Sequence, residues 1–351
     1  MRDIYKRKID YIRISITDRC NLRCVYCMPE SGIKLISHDD ILSYEEIIRL
    51  CRLFSKIGIS KVKITGGEPL VRKDVHKLIK NIKEIDGIDN ITLTTNGILI
   101  EEQIDELIKA GLDAVNISID TLEEGTYKEL TRIGDVNKVI NGIRKCLEYK
   151  NLRVKLNCVP IKGRNEEEII DLIKLCKDND MSIRFIEMMP IGLGKNMQGL
   201  NDDEVISLIE KKIGKLTPYN GKLGNGPSNY YSLEGYKGKI GFISAVNHKF
   251  CETCNRVRLT CEGFLKACLQ YDIGTDLKSM MRNGKSDEEI LEAIKSTIYN
   301  KPESHNFRII KDDEKEEHRG MSQIGGWFIQ LTVDNWELTV EGKTLSEFFK
   351  L

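Results

Sequence analysis

The sequence has no net charge and no long apolar run, and each absence excludes a class of protein. Its 351 residues include 54 lysines and arginines and 54 aspartates and glutamates. No overall field therefore attracts nucleic acid or an anionic membrane surface. No stretch reaches the roughly 18 apolar residues of a membrane-spanning helix, and no apolar signal-peptide core stands at the N-terminus. We therefore expect a cytoplasmic protein with no nucleic-acid partner and no membrane partner.

A phosphate-binding loop of the form G-x4-G-K-[ST] is also missing. Such a loop holds nucleotide phosphates on main-chain amides and one lysine. Any nucleotide phosphate must instead be bound by separate arginine and lysine side chains, through charge-assisted hydrogen bonds.

Cysteine, by contrast, is abundant. Eleven cysteines in a reducing compartment argue for metal ligation rather than disulfides. Three of them lie in Cys20-Asn-Leu-Arg-Cys24-Val-Tyr-Cys27. Three thiolates leave one iron of a [4Fe–4S] cluster without a protein ligand, and an open iron is a reaction site. Half of a structural zinc site is the alternative, although such sites usually pair two C-x2-C units. Four other cysteines are expected to be buried apolar residues: Cys51, Cys146, Cys158 and Cys176.

Strand-like and helix-like segments alternate through the first 213 residues. The predicted strands are residues 11–16, 61–65, 91–94, 114–119, 153–159 and 182–187, and the predicted helices are residues 43–57, 73–85, 101–110, 136–149, 166–176 and 202–213. This alternation predicts an α/β fold with a parallel sheet, either a barrel or an open sheet. Polar residues recur where the strands end, which favours a ligand site there: Thr94, Asn96, Ser118, Asp120, Lys155, Asn157, Arg184 and Glu187.

A second cysteine group follows a change of pattern, and we place a domain boundary near residue 215. Beyond it we predict a hairpin at residues 230–243 and two helices within residues 275–300. Between these lie Cys251-Glu-Thr-Cys254 and Cys268, with Cys261 among them. Both a four-cysteine zinc site and a second cluster held by three cysteines fit this spacing.

The first cysteine motif, with Tyr26 before its last cysteine, resembles the cluster signature of radical S-adenosylmethionine (SAM) enzymes. Met28-Pro29 after it and Arg13 before it narrow the resemblance to the GTP 3′,8-cyclase family of molybdenum-cofactor biosynthesis. The element Gly66-Gly67-Glu68-Pro69, the second cysteine group and Arg256-Val257-Arg258 are similar to that family as well. The resemblance extends from about residue 13 to residue 326.

The resemblance implies a fold and an activity. The fold is a partial (β/α)6 TIM-type barrel over residues 1–215, with a smaller C-terminal auxiliary-cluster domain over residues 216–326. The cofactors are two [4Fe–4S] clusters and SAM. The activity is radical cyclisation of GTP to (8S)-3′,8-cyclo-7,8-dihydroguanosine 5′-triphosphate. The implied partners are GTP, cyclic pyranopterin monophosphate synthase downstream and a reductant protein, and a homodimer is an option.

The resemblance also implies the site residues. No side chain is assigned as catalytic, because the radical arises at the first cluster. The implied ligands are Cys20, Cys24 and Cys27 for the first cluster and Cys251, Cys254 and Cys268 for the second. The implied SAM contacts are Tyr26, Gly67, Ser118 and Met189. The implied GTP contacts are Arg13, Lys63, Thr94, Lys155, Arg256, Val257 and Arg258.

Three features depart from the family. Lys63 stands where the family usually has arginine, Cys261 stands where it usually has a non-ligand, and the chain continues beyond Gly326, where the family ends. We expect Cys261 to be a spare thiol and residues 327–351 to dock outside the site. Two other functions stay open: a radical SAM enzyme that modifies a peptide, and a non-enzymatic iron–sulfur or zinc protein.

Overall fold

The computed structural model describes residues 1–307, whose strands form one twelve-stranded sheet. Six parallel strands stand side by side in chain order at its centre. These strands, β1 to β6, are Tyr11–Ser15, Lys61–Thr65, Asn90–Thr95, Ala114–Ser118, Arg153–Cys158 and Ser182–Ile186. All six predicted strands are confirmed, with each end within one residue of its predicted position.

Helices connect these strands. They are α1 Tyr44–Lys56, α2 Val75–Lys83, α3 Ile100–Lys109, α4 Glu124–Thr131, α5 Val136–Leu147, α6 Ile169–Lys174 and α7 Asp202–Lys212. A capping box begins α1, because Ser43 and Glu46 each accept a hydrogen bond from the other's main-chain amide. The sequence reading missed α4. Its N-terminus is capped by Glu123, an unusual capping residue whose carboxylate accepts the amides of Gly125 and Thr126.

Alternation along the strands separates an apolar face from a polar face. On β1, Ile12 and Ile14 belong to the main apolar core, whereas Arg13 between them lines a cavity. On β2, Ile64 likewise belongs to the core and Lys63 lines the cavity. Because side chains alternate along a strand, burying the apolar face turns the polar face toward the cavity. The predicted buried cysteines Cys51, Cys146, Cys158 and Cys176 are confirmed as part of the apolar core.

The C-terminal region extends both edges of the same sheet. Its strands, β7 to β12, are Leu216–Tyr219, Asn229–Leu233, Lys239–Ile243, Arg256–Leu259, Phe264–Lys266 and Gly274–Asp276. β9 pairs in parallel with β6, and β10 pairs in parallel with β1. The hairpin of β8 and β9 is confirmed, whereas β7 and β10 to β12 were not predicted.

Two helices follow the last strand, as predicted: α8, Leu277–Arg282, and α9, Asp287–Tyr299. The domain boundary at residue 215 stays a prediction. Gly326 and the extension at residues 327–351 lie outside the described residues. Among residues 1–307, no helix combines the length and the apolar character needed to cross a membrane.

Candidate active site between two cysteine loops

The first cysteine loop follows β1 and rests on the Gly-Gly-Glu-Pro element after β2. The amide of Gly67 donates to the carbonyl of Thr17 at 2.8 Å, and that of Glu68 donates to the carbonyl of Arg19 at 2.8 Å. A Cβ atom at Gly67 would collide with the Arg19 carbonyl. Glycine is therefore needed here for contact with the loop, whether or not its main chain also meets a ligand.

Arg132, just after α4, holds the loop from the other side. Its Nη1 donates to the carbonyls of Arg23 at 2.6 Å and Met28 at 2.8 Å. The two carbonyls lie on either side of Cys24 and Cys27, so one guanidinium constrains the segment that carries both thiols.

Tyr26 connects this loop to the ends of β4 and β5. Its hydroxyl donates to the carboxylate of Asp120, which also accepts the amide of Val159 at 2.8 Å. All three residues line the cavity. Burial raises the pKa of Asp120 to about 6.

Cys24 is buried, and Cys20 and Cys27 are partly buried. Burial, and then the charge of Glu68, raises the pKa of Cys20 to about 11. The pKa values of Cys24 and Cys27 are also raised, mainly by burial and secondly by the charges of neighbouring cysteines. A metal group bound here would have to displace these protons, because thiolates are the ligating form.

The second cysteine loop lies directly on the cavity. Cys251, Cys254 and Cys268 all line it. Burial alone would raise the pKa of Cys254, but Arg256 and Lys301 reverse the effect and lower it to about 6. Cys261 is fully buried beside Ser15 and Asp18.

Three neighbouring strands bring a row of cations to the cavity. Arg13 on β1 is directly opposite Arg258 on β10 and Lys63 on β2 in the sheet register. Burial and nearby positive charges lower the pKa of Arg13 to about 10 and depress those of Lys63 and Arg258. Adjacent buried like charges repel one another, so an anion bound among them would be stabilised.

Lys155 and Arg184, on β5 and β6, add two further cations to the same lining. Lys155 Nζ donates to the carbonyl of Leu223, and burial together with Arg184 and Arg153 lowers the pKa of Lys155 to about 7. Nη2 of Arg184 donates to Asn157 at 2.5 Å.

Several polar atoms facing the cavity have no hydrogen-bond partner within residues 1–307. They are Nε of Arg13, Oγ1 of Thr92, Oγ of Ser118 and Nε of Arg184. Buried polar groups are nearly always paired, and unpaired ones in a cavity are typical of a site that binds a polar ligand.

The structure brings most of the predicted site residues to this one cavity. The cavity lining includes Arg13, Tyr26, Lys63, Thr94, Ser118, Lys155, Met189, Cys251, Cys254, Arg256, Arg258 and Cys268. Cys20, Cys24 and Cys27 pack beside it in a small apolar cluster with Tyr26 and Met189. The side chain of Val257 is fully buried in the main core, so only its main chain could meet a ligand.

Arg184, which the sequence placed among the polar residues at strand ends, also lines the cavity. The cavity residues that were not predicted include Arg7, Lys301 and His305. The sequence carries no comparable signal for these three, because Arg7 stands in the basic run Lys6-Arg7-Lys8 and the other two follow the last helix.

The two sets of three cysteines fit iron–sulfur clusters in donor type and number. Across residues 1–307, no three histidine, cysteine, aspartate or glutamate side chains are close enough to hold one metal ion together. A [4Fe–4S] cluster binds each thiolate at a different iron, so its ligands do not converge on one point.

Comparison with known proteins agrees with this geometry. The family model of the Radical SAM superfamily matches residues 14–176, and that of Molybdenum Cofactor Synthesis C matches residues 181–307. A GTP 3′,8-cyclase of Clostridium perfringens (strain 13 / Type A) is 50% identical over 326 residues, covering 93% of this chain and 100% of the relative. A GTP 3′,8-cyclase of Syntrophomonas wolfei is 46% identical over 329 residues, with the same coverage of both chains.

A solved structure supports the fold. Streptococcus suis SuiB, in its complex with precursor peptide SuiA, superposes with a TM-score of 0.56 at 16% identity, covering 85% of this chain and 66% of that chain. The fold and the first cysteine loop together define a radical SAM enzyme, with SAM and a [4Fe–4S] cluster as cofactors. More particularly, the chain belongs to the GTP 3′,8-cyclase family.

Proposed function

We propose that this protein cyclises GTP to (8S)-3′,8-cyclo-7,8-dihydroguanosine 5′-triphosphate, the first step of molybdenum-cofactor biosynthesis. The observation that carries the proposal is the row of Arg258, Arg13 and Lys63 on the cavity that joins the two cysteine loops. A triphosphate carries the negative charge that would neutralise these three cations. Because the sequence has no phosphate-binding loop, such side chains would have to hold the phosphates.

The cysteines divide between two clusters in this proposal. Cys20, Cys24 and Cys27 would hold the first cluster, and Cys251, Cys254 and Cys268 would hold the second. When bound, the first cluster and SAM supply the 5′-deoxyadenosyl radical that takes hydrogen from C3′ of GTP. The chain's own contribution is to bind, orient and shield the reactants.

SAM would be bound beside the first loop. Tyr26, Ser118 and Met189 line the cavity there, and the unpaired hydroxyl of Ser118 is free to bond a polar group of SAM. Gly67 would contribute its main chain. Tyr26 is fixed by Asp120, so its ring is already positioned before any ligand binds.

GTP would be bound on the polar face of the sheet. Arg13, Lys63, Lys155, Arg256 and Arg258 would hold the phosphates. Thr94, at the end of β3, would hydrogen-bond the nucleotide. Val257 would contribute only main-chain atoms. Arginine presents a planar pair of donors to phosphate oxygens, whereas each lysine acts as a point charge.

A radical SAM enzyme that modifies a peptide is not favoured. SuiB was solved with a peptide, but its 16% identity shows a shared fold and no more. The identity with GTP 3′,8-cyclases, over 93% of the chain, supports the nucleotide instead.

We further propose that the protein works in the cytoplasm, receives electrons from a reductant protein and passes its product to cyclic pyranopterin monophosphate synthase. A homodimer is compatible with these roles, and sedimentation of the reconstituted protein would measure its oligomeric state.

The test is an anaerobic turnover assay. The reconstituted and reduced protein is mixed with SAM and with GTP deuterated at C3′, and 5′-deoxyadenosine is analysed by mass spectrometry. Deuterium in 5′-deoxyadenosine is expected. Unlabelled 5′-deoxyadenosine, formed no faster with GTP than without it, would contradict GTP as substrate but leave the radical SAM class. No cleavage of SAM, with iron content normal, would contradict the enzyme itself.

A further inference from the structure

A short segment after the last helix forms one wall of the cavity. This segment, residues 301–307, is called the strap below. Its first half is held by Arg7, which donates to the carbonyls of Lys301 at 3.3 Å, Pro302 at 2.7 Å and Glu303 at 2.7 Å. The same guanidinium donates to the carbonyl of Cys251 at 2.9 Å. Arg7 therefore ties the strap to the second cysteine loop.

Arg7 is itself fixed by a buried ion pair. Its Nε lies 2.6 Å from the carboxylate of Asp3, and both side chains are almost completely buried. With four carbonyl partners and one carboxylate, the guanidinium is fully engaged within the protein. It lines the cavity but has little capacity left to bind a ligand, so its role is to position the groups around it.

The second half of the strap is held by other side chains. The hydroxyl of Tyr271 donates to the carbonyl of Ser304 at 3.3 Å, and Lys249 donates to the carbonyl of His305 at 3.0 Å. Lys301 Nζ donates in turn to the carbonyl of Arg256 at 3.0 Å. A segment without regular structure is thus held by hydrogen bonds from Arg7, Lys249 and Tyr271.

His305 is the residue that this arrangement presents to the cavity. It is 6% exposed, and its ring stacks against Phe307 with centroids 4.4 Å apart. Its main-chain amide donates to the thiol of Cys251. Neither buried ring nitrogen makes a hydrogen bond of normal geometry within residues 1–307, although the ring lies near the main chain of Ala245. Leaving buried ring nitrogens without good hydrogen bonds is energetically unfavourable. A bound ligand that hydrogen-bonds them would remove this cost.

The cavity lining contains both cations and aromatic rings. Its cations follow the sheet from Arg258 to Lys155 and include Arg256 and Lys301 beside Cys254. Phe250 and His305 add aromatic rings to the wall, and Phe307 follows in the same strap. The cations suit the phosphates of a nucleotide. The aromatic rings suit a purine, which has flat apolar faces and hydrogen-bonding edges. A neutral imidazole offers such an edge one donor and one acceptor.

We propose that His305 hydrogen-bonds the purine base of the nucleotide, and that Arg7 is the positioning residue that holds it there through the strap. The proposal rests on the proposed function, because it takes GTP as the ligand. It adds a base-recognition residue from a part of the chain that no motif singles out.

The test compares GTP with inorganic tripolyphosphate, which has the phosphates but no base. Both are titrated by calorimetry into the full chain carrying both clusters, as wild type, His305→Ala, His305→Gln and His248→Ala. His248 is an exposed histidine outside the cavity lining and serves as the matched control. We expect His305→Ala to weaken GTP binding about tenfold, as for one lost hydrogen bond, and to leave tripolyphosphate unchanged. His305→Gln should recover part of the loss, and His248→Ala should bind both ligands normally.

Other outcomes would overturn the inference. Unchanged GTP affinity in His305→Ala would show that the base is not contacted. Equal losses for GTP and tripolyphosphate, or a loss accompanied by a lower melting temperature or lower iron content, would assign His305 a phosphate-binding or structural role instead. Failure of the wild type to bind GTP would overturn the proposed function together with this inference, and so the two failures are distinguishable.

A double-mutant cycle tests Arg7. Because Arg7 acts through the strap, Arg7→Lys should weaken GTP binding, and the double variant with His305→Ala should be no weaker than His305→Ala alone. Additive losses would overturn the positioning role of Arg7.

Discussion

Each cysteine loop presents three thiols, and the electrostatic surroundings of the two loops differ most between Cys20 and Cys254. Burial raises the pKa of Cys251 in the second loop, as it does for the thiols of the first. Around the first loop, burial and the carboxylate of Glu68 raise the pKa of Cys20 to about 11. Around the second, Arg256 and Lys301 lower the pKa of Cys254 to about 6. The first loop is packed away in an apolar cluster, whereas the second opens on a cationic cavity. The two loops therefore differ in their surroundings as well as in the spacing of their cysteines.

Each loop is also held by one arginine from a distant part of the chain. Arg132 binds two carbonyls of the first loop, and Arg7 binds the carbonyl of Cys251 together with the strap. The difference lies in what else each arginine holds. Within the described part of the chain, the guanidinium of Arg132 donates only to carbonyls of the first loop. Arg7, in contrast, connects the second loop to the strap, which forms a wall of the cavity.

The largest expected effect comes from replacing one cysteine in each loop, because the two variants should lose different activities. Cys24→Ala should abolish both cleavage of SAM and cyclisation of GTP. Cys254→Ala should abolish cyclisation but retain cleavage of SAM, since the first cluster stays intact. Each variant should lose about half of the iron if both loops hold a [4Fe–4S] cluster. Chromatography of 5′-deoxyadenosine and cyclised product, with iron analysis, makes the comparison. Full cyclisation by Cys254→Ala would remove the second loop from the reaction.

The next effect concerns the two arginines. Arg7 binds the carbonyl of Cys251, and Arg132 binds carbonyls next to Cys24 and Cys27, so both arginines constrain segments that carry proposed cluster ligands. Arg132→Met should therefore change the electron paramagnetic resonance spectrum of the first cluster, and Arg7→Met that of the second. Arg49→Met, which breaks an exposed pair with Asp287 and a hydrogen bond to the carbonyl of Lys285, should change neither spectrum. If both Arg7→Met and Arg132→Met altered the same spectrum, the two loops would not be independently held.

A smaller effect is proton uptake on GTP binding. The pKa of Lys155 is lowered to about 7, mainly by burial. A nearby phosphate would raise the pKa of Lys155 again. Binding of GTP at pH 7.5 should therefore be accompanied by proton uptake at Lys155, whereas binding of SAM should not. Calorimetry in buffers of different ionisation enthalpy measures the uptake, and Lys155→Arg, which stays charged, should reduce it. Equal uptake in wild type and Lys155→Arg would mean that Lys155 does not meet the phosphates.

The same lowered pKa affects folding stability. The folded protein holds fewer protons on Lys155 than the unfolded chain between pH 7 and the usual lysine pKa. The contribution of Lys155 to the free energy of unfolding is therefore most favourable at high pH, and it decreases as the pH falls toward about 7.

The smallest expected effect is at Lys63. Lys63→Arg should lower the Michaelis constant for GTP by roughly two- to fivefold, because a guanidinium offers phosphate two parallel hydrogen bonds. The constant for SAM should not change. An unchanged constant for GTP would argue that Lys63 does not contact it.

Local patterns predicted the central strands to within one residue, because apolar periodicity is a property of neighbouring residues. The reading failed where a distant partner decides the structure. Strand β10 is only Arg256–Leu259, and it exists because β1 pairs with it across nearly the whole chain. Helix α4 was missed for a local reason, since its cap is Glu123 rather than one of the usual capping residues.

Residue types and local spacing were enough to indicate the chemistry, through two sets of three cysteines, the Gly-Gly-Glu-Pro element and the arginines around Val257. Which charges meet depends on the tertiary structure. Arg7 stands in the basic run Lys6-Arg7-Lys8, yet it is buried against Asp3 and donates to four carbonyls. His305 reads as a residue after a helix, yet it faces the cavity. Burial, pairing and the resulting pKa shifts depend on groups far apart in the chain, so no local pattern contains them.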